Sequence, residues 1–172
     1  MYNSLELIEL LKKEEYKIEV HQHDPLFTVE DSKKLRGKIN GAHSKNLFLK
    51  NKKKEFFLLS CEEADRIDLK KISKSLDLGN ISFAKQEYLE QYLKIKPGSV
   101  SPFALLNDDG AFVNFYLEQT LYESKFVNFH PLINTFTITI ETDKFIEFMI
   151  ENNKKIHIFS SSKGKVLQTY GK

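Results

Sequence analysis

Residues 41–59, GAHSKNLFLKNKKKEFFLL, consist of two apolar runs on either side of a lysine-rich turn. The runs Leu47-Phe48-Leu49 and Phe56 to Leu59 have the composition of buried strands, and the segment Asn51-Lys52-Lys53-Lys54 between them is polar. The pattern predicts a β-hairpin with a basic tip.

Strands and helices alternate irregularly on both sides of this hairpin. Alternating or apolar runs predict strands over 16–20, 81–83, 111–116, 127–129, 136–140 and 155–159. Capping residues predict helices that begin at Asn3, Thr28, Asp68 and Thr142, a further short helix covers 86–93, and the tail after Ser160 reads as frayed. The fold class is therefore a mixed α/β single domain over residues 1–172, built around a central sheet.

The composition excludes several classes of protein. No run of apolar residues approaches the 18 that a membrane-spanning helix needs, and Glu6 and Glu9 interrupt the apolar pattern expected of a signal peptide. The single cysteine, Cys61, cannot form an internal disulfide, and we interpret it as a half-buried structural residue rather than a reactive thiol. These features favour a cytoplasmic protein that does not bind a membrane.

The basic residues are unevenly distributed. Residues 32–54 contain nine Lys or Arg and no Asp or Glu, which leaves 17 basic and 24 acidic residues elsewhere in a chain of net charge +2. A basic segment on an otherwise acidic protein attracts a phosphate backbone. A solvated lysine-rich loop is the alternative, and charge alone does not separate the two.

The histidines do not form a recognisable metal-binding pattern. His21 and His23 share one face at the end of a predicted strand, but a metal site needs a third ligand and none is nearby in the sequence. We place His43 in a loop and His157 in a late strand, where an isolated histidine is more often structural. We therefore expect neither a metal nor another cofactor.

Three places in the sequence have the residue types of a functional site. Lys45 stands at the start of a strand, where its charge can meet a phosphate, although it can equally be a solvated lysine. The loop Gly98 to Pro102 has proline before and within it, so its backbone N–H groups can surround an oxyanion, or it can simply be a tight connector. His130 precedes Pro131 at a strand end and is either a substrate contact or a hydrogen-bonded core histidine.

Seven segments, in this order, resemble the YbaK-like tRNA-editing deacylases, the family that includes the insertion domain of bacterial prolyl-tRNA synthetases. The segments cover most of the chain between about residue 20 and residue 150. They are HDPLFTVED at 23–31, GAHSKNLFL at 41–49, DLK at 68–70, ISFA at 81–84, PGSVSPF at 97–103, LLND at 105–108 and FHPLINT at 129–135.

The resemblance implies a YbaK-like fold, with a mixed, mostly antiparallel central sheet surrounded by helices. It implies trans-editing of a mischarged tRNA(Pro), with Ala-tRNA(Pro) as the expected substrate of the free-standing branch. It also implies that Lys45 and Gly98 are the catalytic positions. The implied substrate-binding residues are Thr28, Asn46, Ser99, Val100, Ser101, Pro102 and His130.

Some expectations stay open beside this resemblance. Cys-tRNA(Pro) or Ser-tRNA(Pro) are alternative substrates, and a non-catalytic tRNA-binding module is the alternative function. Prolyl-tRNA synthetase and an elongation factor are candidate docking partners. Where the family pattern leads us to expect an aspartate, the chain has Glu118. On charge, the candidate tRNA contacts are Lys33, Lys34, Arg36, Lys38, Lys50, Lys52, Lys53 and Lys54.

Overall fold

The computed structural model describes residues 1–25 and 38–171. In these residues nine strands form one sheet. The strands are β1 (Ile18–Gln22), β2 (Ala42–Lys50), β3 (Phe56–Glu62), β4 (Ser82–Phe83), β5 (Val113–Glu118), β6 (Phe126–Phe129), β7 (Phe136–Glu141), β8 (Ile156–Ser160) and β9 (Lys165–Tyr170). The helices are α1 (Ser4–Lys13), α2 (Leu69–Ser75), α3 (Gln86–Tyr88) with a π-helical continuation over Leu89–Leu93, the 3-10 helix Pro102–Asn107, α4 (Gln119–Glu123) and α5 (Thr142–Glu151).

The sheet has the order β1-β7-β6-β2-β3-β5-β8-β9, and the short strand β4 pairs with β2. The pairs β2–β6, β3–β5 and β5–β8 are parallel, whereas the other five described pairs are antiparallel. The predicted mixed α/β class and mostly antiparallel sheet are thus confirmed. The predicted hairpin is also confirmed, because β2 and β3 pair from Lys50↔Phe56 to Ser44↔Glu62.

The two faces of the sheet are defined here by strand β2, because successive side chains on a strand point to opposite sides. The Phe48 face carries Ser44, Asn46 and Phe48, and it packs against α1, α5 and the 3-10 helix in the larger hydrophobic core. The Lys45 face carries His43, Lys45 and residues 47 and 49. Helix α2 covers part of it through Ile72, in a smaller core with strands β2, β3 and β5.

Local sequence signals explain several helix ends. The Asn3 side chain accepts a hydrogen bond from the Glu6 backbone N–H, and the Glu6 carboxylate accepts one from the Asn3 N–H, which is the predicted capping box. The Asp68 carboxylate caps α2 through the N–H groups of Lys70 and Lys71. The cap predicted at Thr28 lies outside the described residues.

Two predictions about the C-terminal part of the chain are wrong. Thr142 is the first residue of α5 and not its cap, because its hydroxyl is buried and donates to the backbone oxygen of Ser124. The segment after Ser160 is not frayed, since residues 165–170 form β9 along β8. The sequence KVLQTY gives a weak strand signal because most of its side chains are exposed. Over 1–25 and 38–171, the helices are all too short or too polar to span a membrane.

Candidate functional site

The Lys45 face changes from apolar to polar along the sheet. Near β5 it is packed under α2, but towards β1 it carries threonine, asparagine and histidine side chains. Strand register places this polar group on one face, since Glu19 and His21 lie opposite Thr139 and Thr137, and Asn128 lies opposite both Thr139 and His43. Asn128, Thr137 and Thr139 are all buried. A cluster of buried polar side chains is unusual in a structural core, so this region is the candidate functional site.

The Lys45 ammonium lies at the turn that follows β3. It donates to the backbone oxygen of Glu63 over 3.3 Å and to that of Asp65. An ammonium has three N–H donors. The two bonds to backbone oxygens hold the ammonium in place, and among the described residues the third donor is left for a ligand. The prediction that Lys45 anchors a phosphate stays a prediction; the structure holds its ammonium at the turn that follows β3.

Asn46 lies on the Phe48 face, on the other side of the sheet from Lys45. Its side-chain oxygen accepts from the Ser60 hydroxyl at 2.5 Å, and its amide donates to the Ser44 hydroxyl at 3.3 Å. Ser44 in turn donates to the backbone oxygen of Asn128 at 2.8 Å. These bonds join three strands beneath Lys45. The prediction that Asn46 contacts the substrate is untested, and its observed bonds give it a part in holding β2.

The imidazole of His130 is largely buried at the end of β6. Its Nδ1 lies 2.8 Å from the backbone oxygen of Phe136, which can only accept, so Nδ1 carries the proton and Nε2 is an acceptor. Burial lowers the pKa of His130 below its usual value, the bond to Phe136 opposes this, and nearby His23 lowers the pKa further. The ring is therefore neutral near pH 7 and offers a lone pair.

His21 and His23 are both bonded to threonines of β7. His23 contacts the Thr137 hydroxyl at 2.9 Å and lies with its ring centre 6.0 Å from that of His130. His21 contacts the Thr139 hydroxyl at 3.2 Å, and that hydroxyl donates to the Asn128 side chain at 2.5 Å. Among the described residues no group of histidine, cysteine and carboxylate side chains has the arrangement of a metal site.

The sequence-based prediction did not include the residues that join these histidines, namely Asn128, Thr137 and Thr139. A signal was present, because the threonines of the segment FTITI alternate with isoleucines and therefore share one face. The prediction that His43 lies in a loop is wrong, since it belongs to β2. Its Nε2 is buried and has no hydrogen-bond partner in the part of the chain that the structure describes.

The loop Gly98 to Pro102 is rigid. Gly98 has φ +84°, a conformation that favours glycine, and the Ser99 N–H donates to the Lys96 oxygen at 3.1 Å. Buried Ser101 caps the 3-10 helix that begins at Pro102. The Val100 side chain packs against the core of the Phe48 face.

The loop is connected through Phe103 to the strand that precedes His130. The ring of Phe103, which follows the loop, is 6.0 Å from that of Phe129 and edge-on to it. His130 is the next residue after Phe129. The structure thus brings the loop and the His130 strand end together through core packing. Whether the loop binds a carbonyl group is untested.

Those candidate tRNA contacts that lie within 38–171 do not form one continuous patch. Lys38 precedes β2, whereas the exposed Lys52, Lys53 and Lys54 follow it. Strand β2 has nine residues, so the two groups are separated by about 27 Å along the strand at about 3.4 Å per residue. The other predicted contacts Lys33, Lys34 and Arg36, and the substrate contact Thr28, lie outside the described residues.

Glu118 and Cys61 are structural residues. The buried Glu118 carboxylate accepts from the backbone N–H and hydroxyl of Thr120 and of Ser161, at 2.6 to 3.2 Å. Cys61 is fully buried in β3 and not half-buried as predicted. The pKa of its thiol is raised to about 12, mainly by burial and also by Glu118, while Lys45 acts in the opposite direction, so Cys61 is not a nucleophile near neutral pH.

Comparison with known proteins gives consistent results. The family model described as the aminoacyl-tRNA editing domain matches residues 23–148. Prolyl-tRNA synthetase associated domain-containing protein 1 of Bos taurus is 38% identical over 136 residues, which are 76% of this chain and 79% of that protein. Prolyl-tRNA editing protein ProX of Acetoanaerobium sticklandii is 33% identical over 120 residues, which are 69% of this chain and 73% of that protein.

The fold is also shared with solved structures. One is a proposed trans-editing enzyme for prolyl tRNA synthetase, with a TM-score of 0.66 and 16% identity; the match covers 91% of this chain and 96% of that chain. Another is the hypothetical protein APE2540, with a TM-score of 0.66 and 14% identity, covering 84% of this chain and 93% of that chain. At these identities the likeness concerns the fold alone.

Proposed function

The chain belongs to the aminoacyl-tRNA editing domain family, and from that membership we propose that it is a trans-acting deacylase that hydrolyses Ala-tRNA(Pro). The observation that carries the proposal is the polar region of the Lys45 face, where a fixed ammonium and a neutral histidine acceptor lie on one side of the sheet. The reaction releases alanine and free tRNA(Pro). The name of the ProX relative supports a prolyl-tRNA substrate.

In the proposed mechanism the residues bind and orient the ester. Lys45 holds a phosphate near the terminal adenosine, and the His130 lone pair accepts a hydrogen bond from the α-ammonium of the amino acid. Backbone N–H groups of the loop 98–102 stabilise the oxyanion that forms when water attacks the carbonyl, and one such donor typically contributes about 3–4 kcal/mol.

In the proposed reaction water is the nucleophile, and the protons balance without a nucleophilic side chain. The attacking water is oriented by a ribose hydroxyl of the tRNA and loses one proton as the tetrahedral intermediate collapses. The 3′ oxygen of the ribose leaves and takes up a proton, so the products are the free amino acid and the free hydroxyl. Because an aminoacyl ester is already activated, correct positioning supplies much of the rate.

The same site is compatible with two alternatives to the proposed function: another substrate, or tRNA binding without catalysis. Cys-tRNA(Pro) and Ser-tRNA(Pro) carry small side chains that a pocket sized for alanine admits in part, whereas the ring of proline is excluded by volume. A non-catalytic tRNA-binding module would keep the basic residues without hydrolysis. The name of the Bos taurus relative makes prolyl-tRNA synthetase the first docking partner to test.

The test is hydrolysis of Ala-, Pro-, Cys- and Ser-tRNA(Pro) by the wild-type protein, Lys45→Ala and the control Lys165→Ala on exposed strand β9. We expect selective loss of alanine, a fall in kcat/KM of at least about 100-fold in Lys45→Ala, and no change in the control. Thermal unfolding checks that the variant is folded. Release of cysteine or serine instead would identify a different substrate for the same enzyme class. Folded protein that binds tRNA without hydrolysing any of the four aminoacyl-tRNAs would contradict the deacylase function.

A further inference from the structure

The outward side of helix α2 carries three lysines and no acidic residue. The sequence of the helix is LKKISKS, and its exposed members are Lys70, Lys71 and Lys74, called here the α2 lysine cluster. Ile72 is buried in the smaller core, and Leu69 packs against that core. At about 100° per residue, Lys70 and Lys74 each lie about 160° from Ile72 around the helix axis, so both point away from the sheet.

This arrangement of charges is unfavourable for the helix by itself. Lys70 and Lys74 are four residues apart, so their side chains are neighbours on one helix face, about 6 Å apart along the axis. Like charges at this spacing destabilise a helix. The ion pairs in the described part of the chain belong to His21, Lys85 and Lys144, so none of them neutralises α2. Uncompensated positive charge on a surface attracts a ligand of negative charge.

The acidic residues around α2 lie at the two ends of the helix. Asp68 precedes it, and its carboxylate accepts from the backbone N–H groups of Lys70 and Lys71. Asp77 comes after the C-terminal end. Between Asp68 and Asp77 the exposed side chains are those of the α2 lysine cluster. A ligand that approaches the middle of the helix therefore meets positive charge.

The helix is held in one position on the sheet. Asp68 caps its first turn, and the Ser73 hydroxyl donates to the backbone oxygen of Gly79. At the C-terminal end, Ser75 lies against the turn between β8 and β9, since a Cβ added at Gly164 would be 2.9 Å from the Ser75 hydroxyl oxygen. The lysines thus extend from a fixed backbone, and less entropy is lost when they bind a ligand.

The α2 lysine cluster adjoins the candidate functional site. The Lys45 ammonium is bonded to the backbone oxygens of Glu63 and Asp65, and α2 begins four residues after Asp65. Exposed Arg66 lies in the segment between them. Helix α2 packs on the same face of the sheet from which Lys45 extends. Cations therefore continue from the Lys45 turn along the outside of a helix about 10 Å long.

We propose that the α2 lysine cluster and Arg66 bind the sugar–phosphate backbone of the acceptor arm of the substrate tRNA. The inference rests on the proposed function, because Lys45 is assigned there to a phosphate at the end of the same arm. Contacts between basic side chains and phosphates position a nucleic acid without reading its sequence. Neighbouring cations on one rigid helix suit such a row of negative charges.

The absence of apolar surface on α2 favours a phosphate backbone over a protein partner. The large exposed hydrophobic residues of the described chain all lie outside residues 63–80. A protein–protein interface has an apolar core inside a polar rim, whereas binding of a phosphate backbone is driven mainly by charge. The exposed side chains of α2 itself are all lysines, which fits the second case.

The test is binding of a tRNA(Pro) transcript by wild type and by Lys70→Gln/Lys74→Gln, measured by fluorescence anisotropy over a range of salt concentrations. We expect the variant to bind at least about tenfold more weakly at low salt. The slope of log Kd against log salt concentration should fall by about 1–2, because each lysine contacts about one phosphate. Lys70→Arg/Lys74→Arg keeps both charges and should bind normally. The matched control is Lys12→Gln/Lys13→Gln, which removes two exposed lysines from α1 on the other side of the sheet.

Hydrolysis separates the inference from the proposed function. Because 3′-alanyl-adenosine has no acceptor arm, Lys70→Gln/Lys74→Gln should hydrolyse it at the wild-type rate. With Ala-tRNA(Pro) the variant should show a KM raised at least about tenfold and an unchanged kcat, since the lost contacts bind the ground state and the transition state equally. If wild type hydrolyses neither substrate, the deacylase function fails, while weaker tRNA binding by the variant still supports the inference.

Three results would overturn the inference: no binding of tRNA by wild type, unchanged affinity and salt slope in Lys70→Gln/Lys74→Gln, or an equal loss of affinity in the α1 control. Vesicles of phosphatidylglycerol and phosphatidylcholine test a membrane surface as the alternative ligand. Wild-type binding to these vesicles that the variant loses, together with unchanged tRNA binding, would also overturn it.

Discussion

At the level of single residues, hydrogen-bond direction decides what each histidine can do. The backbone oxygen of Phe136 can only accept, so it fixes the proton of His130 on Nδ1 and leaves Nε2 as an acceptor. The Nε2 atoms of His23 and His21 contact the hydroxyls of Thr137 and Thr139, where either partner can be the donor. We propose His130 as the acceptor for the substrate because a backbone oxygen fixes its tautomer.

The pH dependence of deacylation should report the protonation of His130. Because burial lowers its pKa below the usual 6.5, the neutral form persists to lower pH, and kcat/KM should fall only below about pH 6.5 as the lone pair is lost. His130→Gln should remove this acid limb from the pH profile. The control is His157→Gln, because burial also lowers the pKa of His157 but it lies on β8. An identical acid limb in His130→Gln would contradict the assigned role.

Burial also explains why the thiol of Cys61 is unreactive. The same sheet position that places Lys45 opposite Cys61 excludes water from the thiol, and the raised pKa keeps it protonated. Full burial of Cys61 could not be predicted from local sequence, because the segment SCEE continues the strand with acidic residues.

At the level of elements, Glu118 connects three parts of the fold. It ends β5, caps α4 through Thr120 and binds Ser161 in the turn after β8. Burial alone would raise its pKa, but the hydrogen bonds from Thr120 and Ser161 outweigh burial and lower it. A carboxylate is required here because all four bonds need an acceptor.

Glu118→Gln should lower the free energy of unfolding by about 1–3 kcal/mol, since the amide group would face donors that it cannot accept from. The lowered pKa means that the carboxylate contributes stability above its unfolded value of about 4.5 and that this contribution is lost as the pH falls through the lower folded value. Urea unfolding at pH 7 and at pH 3 measures both effects.

The control for this substitution is Glu123→Gln, whose exposed carboxylate accepts from the Gln119 amide at 2.6 Å. It should change stability by less than about 0.5 kcal/mol. Equal stability of Glu118→Gln and wild type at pH 7 would show that the cap contributes nothing measurable.

At the level of the whole molecule, the C-terminal strand completes the sheet. Strand β9 covers the edge of β8, and the Tyr170 and Tyr122 hydroxyls are 2.7 Å apart, which joins β9 to helix α4. Without β9 the buried strand β8 would present an unpaired edge to solvent.

Truncation after Ser162 should therefore destabilise and aggregate the protein. We expect the midpoint of thermal unfolding to fall by at least about 4 °C, which corresponds to a loss of at least about 1–2 kcal/mol of stability for a chain of this size. Differential scanning calorimetry and light scattering measure the two effects. Leu167→Thr, which keeps the strand pairing, is the control, and a truncated protein as stable as wild type would mean that β9 is dispensable.

Local sequence determined the parts of this protein that depend on neighbours in the chain. The apolar runs around turn 51–54 predicted the hairpin, and Asn3 with Glu6 and Asp68 predicted two helix starts, because hairpin and capping signals act within a few residues. The seven motif segments between residues 23 and 135, taken in sequence order, also indicated the family. The match of the family model to residues 23–148 agrees with them.

Only the tertiary structure decided which distant residues meet. The parallel pairing of β2 with β6 brings His43 opposite Asn128, and no sequence period encodes that register. The same pairing built the polar region of the Lys45 face. The physical reason is that strand order and register are set by the burial of whole faces, which is a property of the assembled sheet and not of any one segment.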